Sequence, residues 1–207
     1  MELTHPEQTT LLYIARRTLE AVLGARQRPV YAPPQTLRNL YRPSGAFVTL
    51  RNLQGHLRGC IGRLVADRPL YTVVQDMAIA AALDDPRFVT NRVTAGELPY
   101  IFIEISVLSP LERVRDPAAE IEPGIHGVYI KAGERTGCFL PKVATEMRWS
   151  TIELLENCCV RKAGLAADAW RDPAVEVYRF TASIIEEPPL AIMEPGSPFG
   201  TMIVQPT

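Results

Sequence analysis

The sequence predicts an α+β fold, and three observations predict it. Helical and strand patterns alternate without the repeating strand–helix–strand unit of a doubly wound sheet. The strand patterns come in pairs joined by short turn signals, which is antiparallel geometry. The 207 residues are 47% apolar and 22% charged, enough for one substantial core or two small lobes.

The stretch THPEQTTLLYIARRTLEAVLG reads as the first helix. Thr4 and Glu7 form a capping-box pattern with Pro6 in the first turn, Leu11, Ala15, Leu19 and Val22 recur at helical spacing, and Gly24 is a stop. The prolines of RQRPVYAPPQTL make a loop. GAFVTLRNLQGHLRGCIGRL reads as two strands joined by a tight turn near Asn52 to Gly55. Period-two alternation puts Leu57, Gly59 and Ile61 on one face of the second strand and Arg58 and Cys60 on the other.

DRPLYTVVQDMAIAAAL is a second helix with Asp67 as its expected cap, and DDPRF breaks it at Pro86. YIFIEISVL is a strand rich in β-branched residues. GIHGVYIKAGERTGCFLP is a hairpin with a Gly-rich turn. LPKVATEM opens a short helix, and the helix after it carries a second capping box, Ser150 and Glu153, with Gly164 as its stop. VEVYRFTASIIEE reads as one final strand, and a Pro- and Gly-rich tail follows over residues 187–207.

The balanced net charge of −1 leaves no general footprint for gripping phosphate backbones, which argues against nucleic acid as a partner. No apolar run approaches the roughly 20 residues of a membrane span, so no membrane role is expected. The polar start MELTHPEQTT lacks a signal-peptide pattern, and the expectation is a cytoplasmic protein with reduced cysteines. No CxxC pair and no phosphate-loop or GxGxxG motif is present, and no metal or other cofactor is implied.

Four places carry candidate chemistry. Cys60 stands between Gly59 and Gly62 with Arg58 two residues upstream. A nearby cation favours the reactive thiolate, and glycines let a ligand approach the backbone. The competing reading is a packed cysteine in a tight hairpin. His126, between Ile125 and Gly127, is either a base for the thiol or a turn histidine. Glu104 lies in an otherwise apolar strand and needs a partner, Arg58 or Arg87. Asp85 and Arg87 in DDPRF either bind an anion or fix the turn.

LRGCIG, then DPRF after a helix, then ELPYIFIEISVLSP, then GIHGVYI and FLPKVATEMRW occur in an order that resembles the AMMECR family. The chain looks most like the bacterial members, protein A of the AmmeMemoRadiSam system. The likeness covers roughly residues 8–186 and leaves the tail outside. It implies two lobes, each an antiparallel sheet with flanking helices, and a cleft between them onto which LRGCIG faces. It also implies a Memo-like protein and a radical SAM protein as partners in a modification pathway, and suspicion of catalysis at the motif cysteine, here Cys60. The alternative is a non-catalytic adaptor or ligand-binding module that uses the LRGCIG groove.

Overall fold

The computed structural model describes residues 2–25 and 31–187. The chain divides into two units: the first runs to Val107 and resumes at Ile184, and the second spans Leu108–Ser183.

The first unit begins with α1 (His5–Glu20), whose capping box at Thr4 and Glu7 forms as predicted and which ends in a π-helical turn at Ala21–Ala25. Glu7 does more than cap. It is buried and also accepts from the backbone and side-chain amides of Asn39, at 3.1 and 3.0 Å, tying the 34–41 segment to the helix. β1 (Ala46–Asn52) and β2 (Leu57–Arg63) form the predicted hairpin. α2 (Leu70–Leu83) follows. Its expected cap fails, because the Asp67 carboxylate is engaged by Arg63 and Pro69 takes the cap position. β3 is Ile101–Leu108. The sheet order is β2-β1-β3-β8, where β8 is Ala182–Glu186. Ala46, Val48 and Leu50 of β1 and Ile101, Ile103 and Ile105 of β3 bury one face of this sheet with α1 and α2.

The second unit holds β4 (Glu112–Arg113), α3 (Pro117–Glu120), β5 (Gly127–Ala132), β6 (Arg135–Phe139), α4 (Pro141–Met147), α5 (Thr151–Asn157) and β7 (Glu176–Phe180). Its sheet order is β4-β7-β5-β6, antiparallel throughout. Val128, Ile130, Val177, Leu154 and Leu155 form its core. The fold is therefore α+β with two antiparallel four-stranded sheets. The single final strand expected from VEVYRFTASIIEE is two strands, β7 and β8, in different sheets. Thr181 separates them, its N–H and C=O bonded to Ser109.

The tail was expected from residue 187, yet Glu187 is tied in. Its N–H bonds to the Ile103 carbonyl, and its carboxylate takes Arg16 and the Ile103 N–H. Residues 188–207 lie outside the described residues. No helix among the described residues is long and apolar enough to cross a membrane.

Candidate thiol site

β2 is an edge strand, and an edge strand leaves every second N–H and C=O without a ladder partner. At Cys60 a side-chain pair fills both positions. Asp85 Oδ2 accepts from the Cys60 N–H at 2.8 Å, and Arg87 Nη2 donates to the Cys60 carbonyl at 3.2 Å. The pair is locked to itself. Asp85 Oδ1 accepts from the Arg87 N–H and from Nε, each at 3.0 Å, and Oδ2 accepts from Nη2 at 2.6 Å. Local sequence explains the arrangement: Pro86 starts a short 3-10 turn, Pro86–Phe88, and Asp85 caps it through the Arg87 N–H.

Asp85 is only 2% exposed. Burial acts to raise its pKa, but the hydrogen bonds from Arg87 and from the Cys60 amide outweigh it and hold the carboxyl below its ordinary value. Arg87 is held above its ordinary value, first by its hydrogen bonds to Asp85, with burial opposing and the Asp85 charge and the neighbouring Cys60 side chain adding to it. The cation beside this cysteine is thus Arg87.

Cys60 is half-buried, and its sulphur accepts a hydrogen bond from Thr49 Oγ1 at 3.2 Å. A register shift makes this contact. Thr49 pairs with Cys60 and Leu50 with Gly59, whereas Arg51 pairs with Leu57. Arg58 is the surplus residue of a bulge. In an unbulged ladder counted from the Arg51–Leu57 pair, Cys60 would lie opposite Val48 and point into the core. The bulge instead sends Ile61 to Val48 and sets Cys60 on the face of Thr49 and Glu104, which stand in one row across β2, β1 and β3.

The bulge also ends the simple alternation that joined Arg58 to Cys60. Arg58 is 8% exposed and turns to the segment after α2. It donates to the Asn91 carbonyl at 3.2 Å and to Glu97 at 2.9 Å. Among the described residues it shares no hydrogen bond with Cys60 or ion pair with Glu104; its carboxylate partner is Glu97. Burial acts to raise the Glu97 pKa, and hydrogen bonds from Thr94, with help from Arg58, hold it below its ordinary value. The guanidinium groups of Arg58 and Arg87 each lie 5.8 Å from the centre of the Phe88 ring.

The two glycines open no space to a ligand on their side-chain sides. A Cβ at Gly59 would stand 1.9 Å from the Ala81 carbonyl oxygen, so α2 rests directly on that residue. A Cβ at Gly62 would stand 2.1 Å from the ring of Phe47. Glu104 is half-buried. His126 belongs to the second unit, where its Nδ1 accepts from the Glu122 N–H at 3.1 Å; this leaves Nε2 as the position of its own proton in the neutral ring.

Burial separates the other cysteines from this chemistry. It pushes the Cys138 thiol up to about 12, with Lys162 opposing it only in part, and it also pushes up Cys158 and Cys159. Among the described residues no cluster of three or more His, Cys, Asp or Glu is placed to hold a metal ion.

Sequence reasoning missed Thr49, Asn91 and Glu97. Glu97 was recoverable in part, because Thr94 and Glu97 have capping-box spacing: the carboxylate accepts from the Thr94 N–H and Oγ1 at 3.0 Å each. The Thr49–Cys60 pairing was not recoverable, since it depends on the bulge.

The family model AMMECR1 matches residues 12–185. A Methanopyrus kandleri protein, MK0488, is 36% identical over 192 residues, covering 90% of this chain and 91% of its own. TK0174 of Thermococcus kodakarensis is 41% identical over 186 residues, covering 86% and 88%. The crystal structure of the uncharacterised protein PH0010 from Pyrococcus horikoshii superposes with a TM-score of 0.82 at 35% identity, covering 90% of this chain and 94% of that one. With a fold of two antiparallel sheets and a family match over most of its length, this chain belongs to the AMMECR1 family.

Proposed function

We propose that the protein carries out thiol-dependent chemistry at Cys60, as a component of a modification pathway with a Memo-like and a radical SAM partner, in the manner of bacterial AmmeMemoRadiSam systems. The observation that carries the thiol reading is the bulged edge strand. It turns the side chain of the half-buried Cys60 out of the core, beside the Thr49 hydroxyl and the Arg87 guanidinium. A hydroxyl donating to sulphur and a neighbouring cation are what a thiolate nucleophile uses. The buried Asp85 carboxylate fixes both Arg87 and the Cys60 backbone, so the thiol is held on rigid structure. The reading rests on the first unit and assigns His126 no step. The partners rest on the family resemblance alone.

The test is alkylation by iodoacetamide near neutral pH, followed at Cys60 by mass spectrometry. Cys60 in the folded protein should label several-fold faster than in the urea-unfolded chain. A folded rate equal to or below the unfolded one removes the nucleophile.

A second reading, an adaptor in which Cys60 never reacts, is favoured by one observation: Ala81 and Phe47 fill the space beside Gly59 and Gly62, as in a motif built for packing. Cys60→Ser separates the two. Full activity of the variant in cells lacking the native protein supports the adaptor; loss of activity with the fold intact supports chemistry.

A further inference from the structure

The Asp85–Arg87 pair is asymmetric in a way the thiol alone does not require. The Asp85 side chain is 1% exposed, while that of Arg87 is 54% exposed. The carboxylate lies behind and the guanidinium in front, so the pair presents its positive end to solvent. Asp85 has no capacity to spare, since it already accepts from the Cys60 N–H and from three N–H groups of Arg87. Arg87 does. Its Nε and Nη2 are taken by Asp85, and Nη2 also reaches the Cys60 carbonyl. Nη1 has no nitrogen or oxygen partner among the described residues, and the guanidinium otherwise borders the Cys60 side chain. A guanidinium nitrogen with donor capacity left over, held in place by a buried carboxylate, is a preorganised donor for an oxyanion. The other nearby guanidinium, Arg58, is buried and spent on Asn91 and Glu97, so the site offers one free cationic donor. That suits a carboxylate better than a phosphate dianion.

We infer that Arg87 Nη1 is a carboxylate-binding subsite next to the Cys60 sulphur, so that the molecule taken at this thiol carries a carboxylate group. The inference rests on the thiol reading for its purpose, and its test is separable from that reading.

The probes are iodoacetate and iodoacetamide, which deliver the same carbon to sulphur and expel the same iodide but differ in charge. The ratio of their rates at Cys60, normalised to the ratio at Cys60 in the unfolded chain, should rise about tenfold in the folded protein. It should fall with added salt, because the guanidinium faces solvent. Arg87→Gln should return it to the unfolded value, and Arg87→Lys should keep part of it. A folded ratio equal to the unfolded one, or a raised ratio that survives Arg87→Gln, overturns the subsite. Fast labelling by iodoacetamide without the raised ratio leaves the thiol reading standing and defeats only this one. If Cys60 fails to label at all, the subsite is read in Cys60→Ser by titrating acetate and following the Arg87 Nε resonance. A saturable shift supports it, and a flat response overturns it.

Discussion

Asp85 shows how one residue decides the state of its neighbours. Its carboxylate is buried, which is costly, and four N–H donors offset that cost. Its folded pKa therefore lies below the unfolded value of about 3.9. The sign follows from linkage: a depressed carboxyl pKa adds stability above the unfolded value, and that stability is lost as pH falls through the folded one. Asp85→Asn should cost about 1–3 kcal/mol at pH 7, because the amide NH2 replaces one acceptor with a donor facing donors. The urea midpoints of variant and parent should converge as the pH is lowered below about 4. A constant gap from pH 7 to 3 would show that the carboxylate charge contributes nothing. The same residue-scale reasoning sorts the cysteines. Burial raises Cys138, Cys158 and Cys159, so a limiting dose of iodoacetamide at pH 7 should modify Cys60 first, leaving the other three until the chain is unfolded. Peptide mapping that finds Cys138 modified alongside Cys60 would contradict this.

At the scale of elements, the β1–β2 hairpin, α2 and the turn after it act as one device. Gly59 lets the last turn of α2 lie on β2, and the chain leaving that turn brings Asp85 to the Cys60 backbone. Gly59→Ala should therefore destabilise the protein by about 1–3 kcal/mol, because the Ala81 carbonyl is backbone and cannot step aside without moving the helix. It should also loosen the Asp85–Cys60 hydrogen bond, seen as faster exchange of the Cys60 amide. Unchanged exchange together with unchanged stability would mean that helix and strand do not meet as described. The two strands, their turn and α2 are legible in the sequence because apolar period and turn residues mark them locally. The bulge is not, since no residue type requires it and it shows only when the two strands are paired. That is why alternation puts Cys60 on the face opposite Ile61 correctly, yet binds it to Arg58, whose place beside the sulphur Arg87 takes. Pairing of distant charges is hidden for the same reason: Arg58 finds Glu97, 39 positions away, and nothing in LRGCIG announces it.

At the scale of the whole molecule, two cores are served by one chain that leaves the first unit after Val107 and returns at Ile184. A run of strand-forming residues across positions 176–186 cannot show where one sheet stops and the other begins, because Val177, Tyr178 and Phe180 of β7 and Ile184 and Ile185 of β8 all favour a strand, with no Gly or Pro between them. The units differ in how their carboxylates are used. In the first, Glu7 and Asp85 are buried, and with Glu97 they are held below their ordinary pKa by hydrogen bonds that outweigh burial. In the second, the depressed carboxyls are Glu120 and Glu176, half-buried, and Glu153, exposed; none is buried as Glu7 and Asp85 are, so solvent screening leaves less stability to lose. Each depressed group gives up its contribution as pH falls through its folded value, so acid should weaken the first unit more than the second. Hydrogen exchange at pH 3, corrected for intrinsic rates and compared with pH 7, should show protection falling further in α1, β1 and β2 than in β5 and β7. Asp85→Asn and Glu7→Gln together should narrow that difference, since the groups that sense the acid are gone. Equal loss in both units, or a larger loss in the second, would place the acid-sensitive stability elsewhere than in the Glu7 and Asp85 networks.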